Sequence, residues 1–304
     1  MEINNYKSGF VSIIGRPNVG KSTFLNKAIG KKIVITSDKP QTTRNKILGI
    51  MTDSDAQVIF TDTPGIHKPK SELEKRMVNA SYSTLNDVDL IIFMTTPVKE
   101  VLKGDEIILS NLKHVKVPVF LVINKVDQLK KFNDIDLTIA IYKDLYPFAG
   151  IYPISVLEEK NTDVLINDIK HALPFGYKMY PDDMLSDHPE RFLVGELIRE
   201  KILDQTKEEI PHSVAIVVDS MKPCEDNPNY TDIYATIYVE RDSQKKIIIG
   251  KAGDMIKIVK EKSINDIKKL IGTKVHLDLW VKVKKDWKDR AEDLKALGYG
   301  NDNF

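Results

Sequence analysis

The segment Gly15-Arg16-Pro17-Asn18-Val19-Gly20-Lys21-Ser22 constrains this chain more than any other. It fits GxxxxGK[ST] and stands between an apolar run over residues 10–14 and a helix-favouring TFLNKAI. A strand, a glycine-bearing loop and a helix in that order are the context in which the pattern cradles phosphate. The glycines let the backbone curl until successive N–H groups converge on phosphate oxygens, helped by the positive end of the following helix. Lys21 is expected to reach the β and γ phosphates, and Ser22 to offer its hydroxyl to Mg²⁺. The expected phosphate-binding set takes in all eight loop residues and Thr23.

Such a loop requires a mostly parallel α/β sheet around it, and the sequence supplies the rhythm. Short β-rich runs at 10–14, 57–61, 90–95, 117–123 and 151–154 alternate with stretches long enough for helices. VPVFLVI, apolar at every position, reads as a central strand buried on both faces, with the ligand expected at the carboxyl ends of such strands. Beyond residue 173 the pattern breaks into FGYKMYPDDMLSDHP, rich in Pro, Asp and Gly, which reads as a linker. The 304 residues are therefore divided into a nucleotide domain at 1–175, a linker at 176–190 and a second, α+β domain at 191–304.

Two further segments follow strand ends. Asp62-Thr63-Pro64-Gly65 is an ordinary turn by itself, but after a phosphate loop its carboxylate can hold the metal through water and its Gly65 N–H can sense the γ phosphate. Asn124-Lys125-Val126-Asp127 selects the base: a carboxylate accepts from guanine N1–H and the N2 amine, and adenine would leave Asp127 unpaired. Asn124 is expected to tie this loop to the phosphate loop, the Lys125 stem to cover the base, and Ser155-Val156 to bring a backbone N–H to guanine O6. An ATP-driven enzyme is disfavoured on this ground.

TSDKPQTTRNK has no clear period and reads as a loop that closes over Mg²⁺ when a γ phosphate is present. Thr42 and Thr43 are the candidates, Thr43 preferred. The expected catalytic set is Lys21, Thr43, Gly65 and Asn18. Ile66 follows DTPG where many GTPases carry a water-orienting glutamine, so intrinsic hydrolysis is expected to be slow. Asn18 is the candidate compensator, its amide helping to coordinate K⁺ beside the phosphates.

The charge balance of 45 Lys+Arg against 44 Asp+Glu hides a split. Residues 178–240 carry 6 basic and 14 acidic side chains, net −8, whereas 241–285 carry 13 basic and 5 acidic, net +8. The basic block points to an anionic partner such as nucleic acid, or to a solvated face. A single cysteine, Cys224, excludes an internal disulfide and a multi-cysteine zinc site, and fits a reducing compartment. The longest apolar runs are about seven residues, against the ~20 that a spanning helix needs. No signal-peptide pattern opens MEINNYKSGF, so a cytoplasmic or peripheral protein is expected.

Taken together, GRPNVGKS, QTTR, DTPGIHKP, NKVD, YPDDMLSDHPERF, LIREKI, ERDSQKKIIIGKAG and VHLDLWVKVK resemble the bacterial Era GTPases over essentially the whole chain. The resemblance implies a Ras-like P-loop GTPase domain followed by a type II KH RNA-binding domain. It also implies a role in small-subunit maturation through the 3′ end of small-subunit ribosomal RNA, and peripheral association with the inner face of the membrane. Two positions depart from the family: Val156 stands where Ala is usual, and the following LEEKNTD lacks the usual glycine. Gly250-Lys251-Ala252-Gly253, read as joining a strand-like KKIII to a helix from Asp254, matches the GxxG loop by which KH domains admit a nucleic-acid backbone. Lys245, Lys246, Lys251 and Lys257 are then phosphate-contact candidates. Trp280 is expected to pack against lysine stems or a neighbouring element, base stacking being the other reading. Two functional readings follow: a GTP hydrolase whose nucleotide state controls RNA engagement, or an RNA-binding module that hydrolysis merely resets.

Overall fold

The computed structural model describes residues 5–37, 39, 42–62, 71–83, 87–129 and 133–299. The chain divides into two compact units: Met1–Lys31, Thr43–Pro69 and Met77–Asp187 form the first, and Lys32–Thr42, Lys70–Arg76 and His188–Phe304 the second.

In the first unit a six-stranded sheet is laid down by β1 (Lys7–Gly15), β2 (Ile47–Thr52), β3 (Ala56–Asp62), β4 (Leu90–Thr95), β5 (Val119–Ile123) and β6 (Gly150–Pro153), in the order β2-β3-β1-β4-β5-β6. Only β2 runs antiparallel, against β3. The intervening helices are α1 (Lys21–Ile29), α2 (Glu72–Ser83, which the unit boundary crosses), α3 (Lys103–Leu112), α4 (Asn133–Tyr142) and α5 (Thr162–Ala172). Every residue of β4 and β5 is buried, as unbroken apolar runs on inner parallel strands require. The chain leaves β1 toward β3 on one side and returns to β4 on the other, so the carboxyl end of β1 lies at the topological switch point where such sheets bind ligands.

Sequence periodicity had not placed β2. Its ILGIMT carries a glycine at the third position and an irregular burial pattern, the signature of a covered edge rather than of a half-buried ladder. The cover is local: the Ile50 N–H donates to the Leu185 carbonyl at 2.9 Å, and Gly49 bridges Ser186.

The second unit contains α6 (Glu190–Gln205), α7 (Ile210–Ser213), β7 (Ala215–Pro223), β8 (Tyr230–Val239), α8 (Asp242–Ile249), α9 (Asp254–Ile271), β9 (Lys274–Val283) and α10 (Ala291–Ala296). Its sheet, β7-β8-β9, pairs β8 antiparallel to β7 and parallel to β9. Val275 and Leu277 of β9 enter a core built with Val194, Ile198 and Ile202 of α6 and Val259 and Ile267 of α9, and Leu279, Val281 and Val283 pack against it. This is the alternation expected of VHLDLWVKVK. Trp287 is wholly buried, its indole N–H donating to the Ser213 carbonyl at 3.1 Å.

One expectation is corrected: KKIII is helical, the end of α8, and not a strand. The three isoleucines favour a strand by propensity, but only Gln244 and Ile248, four residues apart, are buried in α8, which is helical spacing. The first turn is pinned by Gln244, whose Oε1 accepts from the Glu240 and Arg241 N–H groups at 2.9 and 3.1 Å.

Candidate functional site

At the end of β1 the loop turns on residues that cannot carry ordinary side chains. Gly20 has φ 105°, and a Cβ there would lie 2.2 Å from Asn124 Nδ2. Pro17 and Asn18 are exposed at the apex, Val19 is buried, and Thr23 is exposed in the first turn of α1. Lys21 is buried, donating to the Gly15 and Arg16 carbonyls at 3.0 Å each. Burial lowers its ammonium to about 8, with Asp62 opposing the shift and Arg16 adding to it.

The expected metal residues meet. Ser22 Oγ donates to Asp62 Oδ2 at 2.8 Å, Thr43 Oγ1 donates to the same oxygen at 3.1 Å, and the two hydroxyls are 3.2 Å apart. Two hydroxyls and a carboxylate are hard oxygen donors, the set Mg²⁺ prefers. Register explains the meeting: Asp62, the last residue of β3, pairs with Ile13 of β1 two residues before the loop begins. Thr42 is not part of this group; its hydroxyl donates to the Lys39 carbonyl at 2.6 Å. Thr63, Pro64 and Gly65, together with Ile66, lie outside the described residues.

The base-selecting loop is tied in as expected. Asn124 Nδ2 donates to the Val19 carbonyl at 2.8 Å while its Oδ1 accepts the Val156 N–H at 3.1 Å, so one carboxamide joins three loops. Lys125 adopts φ 68°, and Asp127, half-buried, accepts from Ser155 Oγ at 2.5 Å. The Ser155 N–H donates to the Lys160 carbonyl at 3.1 Å. Both amides expected at guanine O6 are thus engaged within the protein, and an O6 contact there requires exchanging one of these bonds.

Sequence reasoning missed the support under the phosphate loop. Arg16 Nε pairs with buried Asp105 Oδ2 at 2.9 Å, and the same oxygen accepts from Tyr142 at 2.6 Å and Thr95 at 3.1 Å. Burial and the bond to Asp105 hold the Tyr142 phenol well above its ordinary value, so it remains a donor. No spacing links these four residues; the one local signal is Gly104, where a Cβ would sit 2.8 Å from Arg16 Cγ.

In the second unit Gly250, Ala252 and Gly253 all have positive φ, at 78°, 53° and 82°, which turns the chain abruptly from α8 into α9. A Cβ on Gly250 would lie 2.5 Å from that of Met255. Lys246, Lys251 and Lys257 are exposed around this turn and Lys245 is half-buried. Ile247 and Ile258, 53% and 40% exposed, flank it and were not anticipated. Trp280 is 63% exposed, on the sheet face opposite the core, so packing does not consume its ring.

Comparison with known proteins agrees with both halves. Residues 10–125 match a family model described as 50S ribosome-binding GTPase, and 209–288 match one described as KH domain. A crystal structure of a tyrosine-to-alanine variant of Era from Aquifex aeolicus, bound to GDP and AlF4⁻, is 39% identical with a TM-score of 0.92, covering 97% of this chain and 99% of that one. A structure of Era in complex with MgGDPNP and nucleotides 1506–1542 of 16S ribosomal RNA is 40% identical, with the same TM-score and coverage.

Proposed function

The chain belongs to the Era family of GTPases, and from that premise we propose that it is a GTP-hydrolysing switch that binds the 3′ end region of small-subunit ribosomal RNA during small-subunit assembly. The observation that carries the nucleotide reading is Asn124, whose single carboxamide joins the phosphate loop to the loop bearing Asp127 and the loop bearing Val156. On this reading, phosphate grip and purine choice share the carboxyl ends of β1 and β5.

The chemistry follows from the groups present. The loop N–H groups and the α1 terminus receive the β and γ phosphates, and the Lys21 ammonium exchanges its carbonyl bonds for phosphate oxygens as negative charge accumulates. Ser22 and Thr43 would hold Mg²⁺ directly and Asp62 through water, and the ion would neutralise negative charge on the phosphates. Thr43 already stands beside Ser22 and Asp62 and would exchange its bond to Asp62 for the ion, and the Gly65 N–H would sense the γ phosphate. Water attacks the γ phosphorus, the bridging bond breaks, and GDP and phosphate leave. With isoleucine at position 66, the water lacks a carboxamide from that residue, and Asn18, exposed at the loop apex, would offer its amide oxygen to K⁺, which would supply the compensating charge. Replacing K⁺ by Na⁺ at constant ionic strength should slow turnover; an unchanged rate removes that role.

The RNA reading is supported by the turn at residues 250–253, the net +8 block around it and the ribosomal RNA fragment held by the Era relative. A cytoplasmic place with peripheral contact at the inner membrane follows from the family resemblance. No helix among the described residues is long and apolar enough to cross a bilayer, and vesicle flotation of the intact chain tests the contact. The experiment for the nucleotide reading is base competition. Asp127→Asn should move preference from guanine toward xanthine nucleotides, because the carboxamide can donate to the xanthine 2-oxo group. Retained guanine preference in that variant contradicts the assignment.

A further inference from the structure

The exposed face of the β8–β9 ladder brings together three side chains that the RNA and nucleotide roles leave unused. Asp232 and His276 are direct register partners across the parallel pair, and Asp232 Oδ1 lies 2.9 Å from His276 Nδ1. Cys224 follows β7, held beside the start of β8 by its N–H bond to the Tyr230 carbonyl at 2.9 Å. One ligand atom from each of Cys224, Asp232 and His276 lies within 4.8 Å of the other two. The imidazole is oriented from one side by stacking on Tyr230, ring centroids 4.4 Å apart.

We propose that Cys224, Asp232 and His276 form a three-ligand site for a borderline divalent ion, Zn²⁺ first, with a fourth position open to solvent. The donors are one sulfur, one nitrogen and one oxygen, a set that favours Zn²⁺ or Co²⁺ over the hard ions suited to Ser22, Thr43 and Asp62. In a tetrahedral zinc site such donors stand roughly 3.3–3.6 Å apart, given bond lengths of about 2.0–2.3 Å, so modest side-chain rotation closes the observed cluster. Charge around the cluster is mixed: Lys222 is the register partner of Asp232 and Lys274 Nζ lies 5.4 Å from the centre of the Tyr230 ring, while Glu225 and Asp226 directly follow Cys224. On binding, the thiol gives its proton to solvent, and the neutral imidazole takes the tautomer with its single proton on Nε2, which frees the Nδ1 lone pair and Asp232 Oδ1 for the ion. The site clips the β7–β8 turn to the beginning of β9. Sequence inspection excluded a multi-cysteine zinc site, and this one needs a single thiol.

The test uses the full chain loaded with GDP and excess Mg²⁺, so that the hard-oxygen site is occupied, titrated with Co²⁺ and then Zn²⁺. Because Cys224 is the chain's one cysteine, a thiolate-to-cobalt charge-transfer band reports this site alone. The band should saturate at one equivalent, vanish on Zn²⁺ addition and be absent from Cys224→Ser. His276→Ala and Asp232→Asn should each weaken Zn²⁺ affinity about tenfold or more, with GDP binding retained as evidence of folding. No band in the unaltered chain overturns the proposal. So does a band that His276→Ala and Asp232→Asn leave undiminished, which would mark a solitary thiol.

Discussion

Lys21 shows how a single group couples folding to ligand choice. Its ammonium is buried among carbonyls and one nearby carboxylate, and desolvation lowers it to about 8 in the ligand-free chain. A bound triphosphate restores opposite charge and holds the proton. Below about pH 8 the free protein already carries that proton, and affinity is level. Above it, binding must first recover the proton, so affinity falls with rising pH, by about tenfold between pH 7 and 9. Calorimetric titration of a GTP analogue across that range checks this, and a flat profile contradicts it. Asp127 and Asn124 have different proposed parts: one would choose the purine by its acceptors, while the other ties their loop to the phosphate loop. Their positions were legible because motif and strand end coincide in the sequence. The Arg16–Asp105–Tyr142 support was not, since its members are 16, 105 and 142 in a chain and meet only through the order of the sheet.

At the scale of elements, legibility followed burial. β4 and β5 could be read because inner strands buried on both faces leave continuous apolar runs, whereas β2, a glycine-bearing edge covered by residues 185–186, leaves no period. KKIII misled because β-branched propensity is weaker than the four-residue spacing of Gln244 and Ile248 that seats α8. The correction changes the RNA loop from strand–loop–helix to helix–turn–helix, with the positive end of α9 directed at the turn. β9 was read correctly in its alternation but not in the fate of its outer face. Trp280, exposed there, is available for stacking. Trp280→Ala should therefore cost about 1–3 kcal/mol of affinity for single-stranded RNA, readable by fluorescence anisotropy, while leaving GTP hydrolysis intact. Loss of thermal stability with unchanged RNA affinity would return the residue to a packing role.

At the scale of the whole molecule the chain is two units with separate cores, the first carrying the phosphate loop and the second the turn at residues 250–253. The segment Lys32–Thr42 ends one residue before Thr43 yet belongs to the second unit, where the Thr36 N–H donates to Glu200 at 2.8 Å. We propose that nucleotide state reaches the second unit through this continuity, which is the account's central claim. The most direct measurement is the affinity of the intact chain for the 3′ segment of small-subunit ribosomal RNA, with GDP and with a non-hydrolysable GTP analogue, repeated for Gly253→Asp. At φ 82° the aspartate is strained and places a carboxylate in the turn proposed to meet the RNA backbone. The account predicts tighter RNA binding in the triphosphate state and weak, nucleotide-independent binding by the variant; equal affinity in both nucleotide states, or a variant that binds as well as the unaltered chain, would contradict it.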